Sequence, residues 1–173
     1  MQKKSVVLFL AEKDFNEQAY LVVKNTLSKN LYNIFVCSDT SGLCKGSGGI
    51  KVKNDILLSN LNEANFAALI IVGGDGIKDY YNNLILHKNI QKFNTKKKVV
   101  AAICAAPVIL AKAGILTNKS AACNINQKKE LEKEGVIYNN IPVFQDKNII
   151  TAQQAINSQE FINNIINTLN KSV

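Results

Sequence analysis

Arginine and tryptophan are absent from the 173 residues, which include one histidine, one methionine and two prolines. Each of the 21 basic residues is therefore a lysine. Without arginine there is no guanidinium fork for bidentate recognition of carboxylate, phosphate or guanine. A single histidine excludes a multi-histidine metal site, and a histidine-based triad would have to use His87. The four cysteines (Cys37, Cys44, Cys104 and Cys123) form no Cys-x-x-Cys pair and have no metal-ligand spacing, so no metal site is expected. Long apolar runs are missing as well: none approaches the roughly 18 uncharged residues of a membrane span. The run Val6–Leu10 is too short for a signal-peptide core and leads into Glu12-Lys-Asp14 without a small-residue cleavage site. A cytoplasmic location is expected, with the cysteines as thiols rather than a disulfide framework.

What is present suits a folded domain. Hydrophobic residues make up 47% and charged residues 20%, with no repeat or linker-like break, so residues 1–173 read as one domain. The net charge of +8 would suit nucleic acid, but the lysines are scattered, and the one cluster, Lys96-Lys97-Lys98, lies where a loop enters a strand. This pattern reads as a solvated face, and no nucleic-acid partner is expected. Apolar segments at Val6–Leu10, Ile34–Cys37, Ala67–Val72 and Lys98–Ile103 read as buried strands, with helices at Phe15–Lys29, Tyr80–Leu86, Ala105–Ala113, near Asn126–Glu134 and at Ser158–Leu169. Glycines within Cys44–Val52 and the Asp146-Lys147-Asn148 turn predict two hairpins. Uninterrupted strands alternating with helices imply a mostly parallel sheet covered on both faces, with reactive groups beyond the strands' carboxyl ends.

Two segments end there with unusual chemistry: Gly73-Gly74 and Cys104. Cys104 follows a strand and precedes a helix with Pro107 in its first turn, a strand-turn-helix elbow that exposes a nucleophile. The positive end of that helix would lower the thiol pKa, and backbone N–H groups of Gly74 and Ala105 would receive a developing oxyanion. The alternative is a buried cysteine acting as a small apolar residue. The Gly73–Gly76 turn lacks the lysine of a phosphate loop and the three-glycine dinucleotide spacing, so no cofactor is expected.

The stretch Ala101-Ala-Ile-Cys-Ala-Ala-Pro-Val-Ile-Leu-Ala-Lys-Ala-Gly-Ile-Leu116 resembles the elbow segment of the ThiJ/PfpI superfamily. The resemblance extends through Ala11-Glu-Lys-Asp-Phe15, Gly48-Gly49-Ile-Lys-Val52, Ile71-Val-Gly-Gly74 and Asn148-Ile-Ile-Thr-Ala152. It implies a flavodoxin-like α/β three-layer sandwich, a homodimer, and a reactive cysteine at Cys104. It also implies a range of activities: glyoxalase-type chemistry on small carbonyl substrates, deglycation, peptidase action and chaperoning. Several family positions depart from the pattern. The glutamate that hydrogen-bonds the cysteine falls at Ala19, and Glu17 substitutes only if the loop register shifts. The histidine that one branch carries directly after the cysteine is Ala105, and the one another branch brings from a later strand is Cys123, which becomes either a redox partner of Cys104 or a pocket-lining residue. The Arg-Gly-Pro-Gly turn before the last helix is replaced by Gln153-Gln-Ala-Ile156. With neither acid nor histidine in place, the expectation is a redox-responsive or weakly catalytic thiol, with a non-catalytic, stress-linked chaperone or binding protein as the alternative and peptide hydrolysis as the least favoured. His87 reads as a surface residue.

Overall fold

The uninterrupted apolar runs become the inner strands of one sheet, because a strand covered by helices on both faces has no side for polar residues. The computed structural model describes residues 3–171. In chain order it contains β1 (Ser5–Phe9), β2 (Lys13–Phe15), α1 (Glu17–Lys29), β3 (Asn33–Ser38), β4 (Leu43–Gly46), β5 (Lys51–Lys53), β6 (Ile56–Leu57) and β7 (Ala68–Ile71). It continues with α2 (Leu84–Thr95), β8 (Val99–Ile103), α3 (Pro107–Lys112), β9 (Ser120–Ala121), α4 (Lys128–Lys133), β10 (Ile137–Tyr138), β11 (Val143–Asp146), β12 (Ile149–Ala152) and α5 (Ser158–Lys171).

Seven strands form the central sheet in the order β11-β12-β8-β7-β1-β3-β6, parallel throughout except where β11 pairs with β12. Alternate residues of each inner strand enter opposite layers, as a period of two requires. Val7, Leu69 and Val100 pack with Ile90 and Phe93 of α2, Ile109 of α3 and Leu131 of α4. Leu8, Ile70 and Ala101 pack on the other face with Val23 and Leu27 of α1 and Phe161 and Ile165 of α5. The result is the mostly parallel three-layer sandwich expected from the sequence. No helix among the described residues is long and apolar enough to cross a membrane.

Both predicted hairpins form: β4 pairs antiparallel with β5, and β11 with β12. One helix assignment is corrected. The segment expected as a helix over Tyr80–Leu86 is a 3-10 turn, Gly76–Tyr80, followed by α2, so His87 lies within a helix rather than after one. The break comes from Asn83, whose Oδ1 accepts the Leu86 N–H at 2.9 Å and caps a new helix there. Leu86, Ile90 and Phe93 then supply its buried stripe.

Candidate active site

The carboxyl ends of β7 and β8 lie side by side, and both chains turn sharply there. Cys104 has φ of +64°, a left-handed conformation that costs a non-glycine residue about 1–2 kcal/mol. The turn is held from both sides. The Cys104 N–H donates to the Ala152 carbonyl at 3.0 Å, and its own carbonyl accepts from the Asn124 N–H at 2.9 Å. Opposite it, Gly73 has no room for a side chain: a Cβ would lie 2.4 Å from the Ile103 carbonyl oxygen and 2.8 Å from Cys104 Cβ. Gly74 has φ of +127°, and the Asn16 N–H donates to the Gly73 carbonyl at 2.8 Å, tying the start of α1 to the glycine turn. These constraints explain why a Gly-Gly pair and a row of alanines flank the thiol.

A cleft of about 440 Å³ opens at this junction. Gly74, Cys104 and Ala105 all line it, so three of the predicted site residues come together. Neither the Gly74 nor the Ala105 N–H has an acceptor among the described residues. Cys104 is only 8% exposed, and burial pushes its thiol up to about 12. That reverses the expected direction: α3 has six residues and a correspondingly weak dipole, and desolvation of a thiolate outweighs it.

Glu17 is not at the thiol. As the first residue of α1, it points to the hairpin, where Oε1 accepts the Ile50 N–H at 2.8 Å and the side chain packs against Gly46 and Gly48. Ala19 is wholly buried in the same core layer as Cys104. Cys123, wholly buried, does not line the cleft. Its Sγ donates to the Asn124 carbonyl at 3.3 Å, and the residue packs in the opposite layer, while Asn124, in the segment after β9, lines the cleft. His87 is half-buried, with Nε2 3.0 Å from the Tyr81 carbonyl, and lies outside the cleft. Desolvation holds its pKa below the ordinary value. Cys37 and Cys44 are both wholly buried.

Much of the cleft wall is amide. Asn16, Gln18, Asn124, Asn126, Gln127 and Gln154 all line it, and sequence reasoning assigned none of them a role. The one usable signal was that Gln154 falls within the segment replacing the family's turn before α5. The carboxylate lining the cleft, Asp75, is exposed and paired with Lys78 Nζ at 2.7 Å. Among the described residues no cluster of histidine, cysteine and carboxylate side chains could hold a metal ion.

A family model described as DJ-1/PfpI matches residues 4–168. An uncharacterized protein of Methanocaldococcus jannaschii is 36% identical over 156 residues, covering 88% of this chain and 76% of that protein. A protein of Pyrococcus furiosus named deglycase PfpI is 26% identical over 147 residues, 85% of this chain and 89% of its own length. A Caenorhabditis elegans protein named glutathione-independent glyoxalase is 22% identical over 167 residues, 96% and 89% of the two chains. The solved structure of a ThiJ/PfpI domain protein from Brachyspira murdochii superposes with a TM-score of 0.96 at 23% identity, covering 100% of both chains.

Proposed function

The chain belongs to the DJ-1/PfpI family, and from that premise we propose that it is a cysteine-dependent enzyme of glyoxalase or deglycase type, acting through Cys104 on small aldehydes and glycated adducts. The observation that carries this reading is the left-handed Cys104 turn, set in a cleft beside two backbone N–H groups without acceptors. The printed names of the Pyrococcus and Caenorhabditis relatives, deglycase and glyoxalase, support it. In the reaction, Sγ bonds to the carbonyl carbon, the carbonyl π bond opens onto oxygen, and the thiol proton passes to that oxygen. This first step gives a hemithioacetal bound to the protein, with no change in oxidation state, and turnover requires its later breakdown to free the thiol. The Gly74 and Ala105 N–H groups receive the charge that develops on oxygen, a contribution of about 10²- to 10³-fold for one such donor.

No imidazole lines the cleft, and its one carboxylate is held by Lys78, so nothing stands ready to take the thiol proton. Burial, which pushes the thiol up to about 12, favours its protonated form near neutral pH. Turnover is therefore weak. In the same reading the protein is a cytoplasmic homodimer with a redox-responsive thiol. The test is methylglyoxal consumption by the wild type and by Cys104→Ala, with folding checked by circular dichroism. Loss of turnover in the variant is expected, and equal rates overturn the proposal. The buried, protonated thiol also favours a second reading, a non-catalytic binding or chaperone protein. That reading predicts no turnover by the wild type and full client protection by Cys104→Ala.

A further inference from the structure

Three of the six amides lining the cleft are held by their oxygens. Asn16 Oδ1 accepts the Ala19 N–H at 2.9 Å, and Asn124 Oδ1 accepts the Asn126 N–H at 3.0 Å. The Asn157 N–H donates to the Gln154 backbone carbonyl at 2.9 Å, and Asn157 Oδ1 accepts the Gln154 N–H at 3.2 Å. For Asn16 and Asn124 the partner is a backbone donor, so the amide atom facing it is the oxygen. Gln127 Oε1 in turn takes the Tyr81 hydroxyl at 2.9 Å. These three oxygens are committed, and the NH2 groups of Asn16, Asn124, Gln127 and Gln154 have no partner among the described residues. With the N–H groups of Gly74 and Ala105, the cleft presents hydrogen-bond donors from several sides.

A ligand rich in hydroxyls must donate as well as accept, and the oxygens of Asn16, Asn124 and Gln127 are already taken. A carboxylate only accepts, and hydrogen bonds to an ionised acceptor are roughly twice as strong as neutral ones. The neighbouring thiol is neutral, the Asp75 carboxylate is paired with Lys78, which also lines the cleft, and the chain carries a net charge of +8. Amide NH2 groups thus offer what a chain without arginine lacks, a directional site for a carboxylate.

We propose that the cleft binds a small 2-oxo acid, its carboxylate held by the NH2 groups of Asn16, Asn124 and Gln154 and its keto oxygen directed to the Gly74 and Ala105 N–H groups beside Cys104. This rests on reading the cleft as a carbonyl site and adds the charge of its ligand. The probe is pyruvate, titrated by ligand-observed NMR, with the neutral pyruvamide as control. Asn16→Asp and Asn124→Asp keep an oxygen for the backbone N–H and so keep the local fold; they and Gln154→Glu replace the NH2 donor with a charged acceptor. Wild type is expected to bind pyruvate at least fivefold more tightly than pyruvamide. Each variant is expected to weaken pyruvate at least tenfold and pyruvamide less than twofold, with melting temperatures unchanged. Cys104→Ala is expected to bind pyruvate within twofold of wild type while losing methylglyoxal turnover. Pyruvate binding no tighter than pyruvamide, or unaffected by the three variants, overturns the inference whatever the turnover assay shows. Absence of turnover with the pyruvate pattern intact overturns the catalytic reading alone.

Discussion

On one side of the first turn of α1, Glu17 meets the β4–β5 hairpin, accepts the Ile50 N–H and fills the space over Gly46 and Gly48. On the other side, Asn16 and Gln18 line the Cys104 cleft and bring no charge to it. Neighbouring residues on a helix are about 100° apart, and that rotation separates a charged, structural contact from a neutral cleft. A carboxylate close to the thiol's loop in sequence is therefore not an acid at the thiol. On the hairpin side the Glu17 carboxylate has a partner within the fold, whereas the cleft side keeps backbone and amide donors without partners among the described residues.

The strongest test of the contrast places a charge in the neutral compartment. Ala19 is wholly buried in the layer that contains Cys104 and occupies the position where the resembling family carries its glutamate. Ala19→Glu is expected to raise Cys104-dependent methylglyoxal turnover by about 10²-fold or more, the scale of a positioned general acid–base. Overpacking and burial of the carboxyl should cost about 1–3 kcal/mol, read as a lower melting temperature. An unchanged rate in a folded variant would mean that this side of α1 does not serve the thiol.

Neutrality also has a pH signature. Burial raises Cys104, Cys37 and Cys123 to about 12 from an ordinary 9.0, and raises Cys44 as well. Between those values the unfolded chain releases thiol protons that the folded chain retains, so stability falls as pH rises. It is complete below about 9 and declines toward 12, at a slope approaching 1.4 kcal/mol per pH unit for each such thiol. Urea midpoints from pH 8 to 11 should fall steadily, and Cys104→Ala should lessen the slope. A flat profile would mean that Cys104 ionises as readily folded as unfolded, as the helix-dipole argument had anticipated.

The layers, both hairpins and the elbow were legible because they follow from local rules. Apolar runs without alternation mark strands covered on both faces, and Gly73-Gly74 beside Ala105 and Ala106 signals close backbone approach. The direction of Glu17 was not legible, since it depends on a hairpin some thirty residues away folding over α1. The thiol's ionisation was misjudged for a related reason: the helix field can be read from sequence, but the desolvation that outweighs it depends on packing from both sides of the sheet. The amide donors escaped notice because asparagine is common throughout this chain, and composition hides a local concentration. Cys123, which the sequence leaves as either a redox partner of Cys104 or pocket lining, packs in the opposite layer, and Asn124 lines the cleft, a placement that depends on how the segment after β9 turns.

A smaller effect should come from the charged side. Glu17→Ala removes an ionised acceptor from the Ile50 N–H and the packing over two glycines. For a half-exposed group this should cost about 1 kcal/mol, or roughly 2–4 °C in melting temperature. Glu17→Gln, which keeps an acceptor, should recover most of it. Turnover dependent on Cys104 should stay within twofold in both variants. A larger rate loss with the fold intact would return Glu17 to the site and erase the contrast between the two sides of α1.

The smallest expected signal concerns the two thiols that the sequence brought together. Cys104 packs in the layer with Phe15 and Ala152, whereas Cys123 packs in the opposite layer and donates to the Asn124 carbonyl. Bridging would require Cβ atoms to approach to about 3.5–4.5 Å, and the two side chains pack in different layers. Protonation further slows the first step, because the thiolate is the species that peroxide oxidises. Mild peroxide followed by non-reducing peptide mapping should therefore show Cys104, at 8% exposure, as the first thiol modified, ahead of three cysteines at 0%. Modification should proceed slowly at pH 7 and faster at pH 9. No Cys104–Cys123 peptide should appear, and Cys123→Ser should leave the course of Cys104 oxidation unchanged. A bridged peptide that vanishes in Cys123→Ser would show that the segment after β9 turns over in solution and carries a resolving thiol into the cleft.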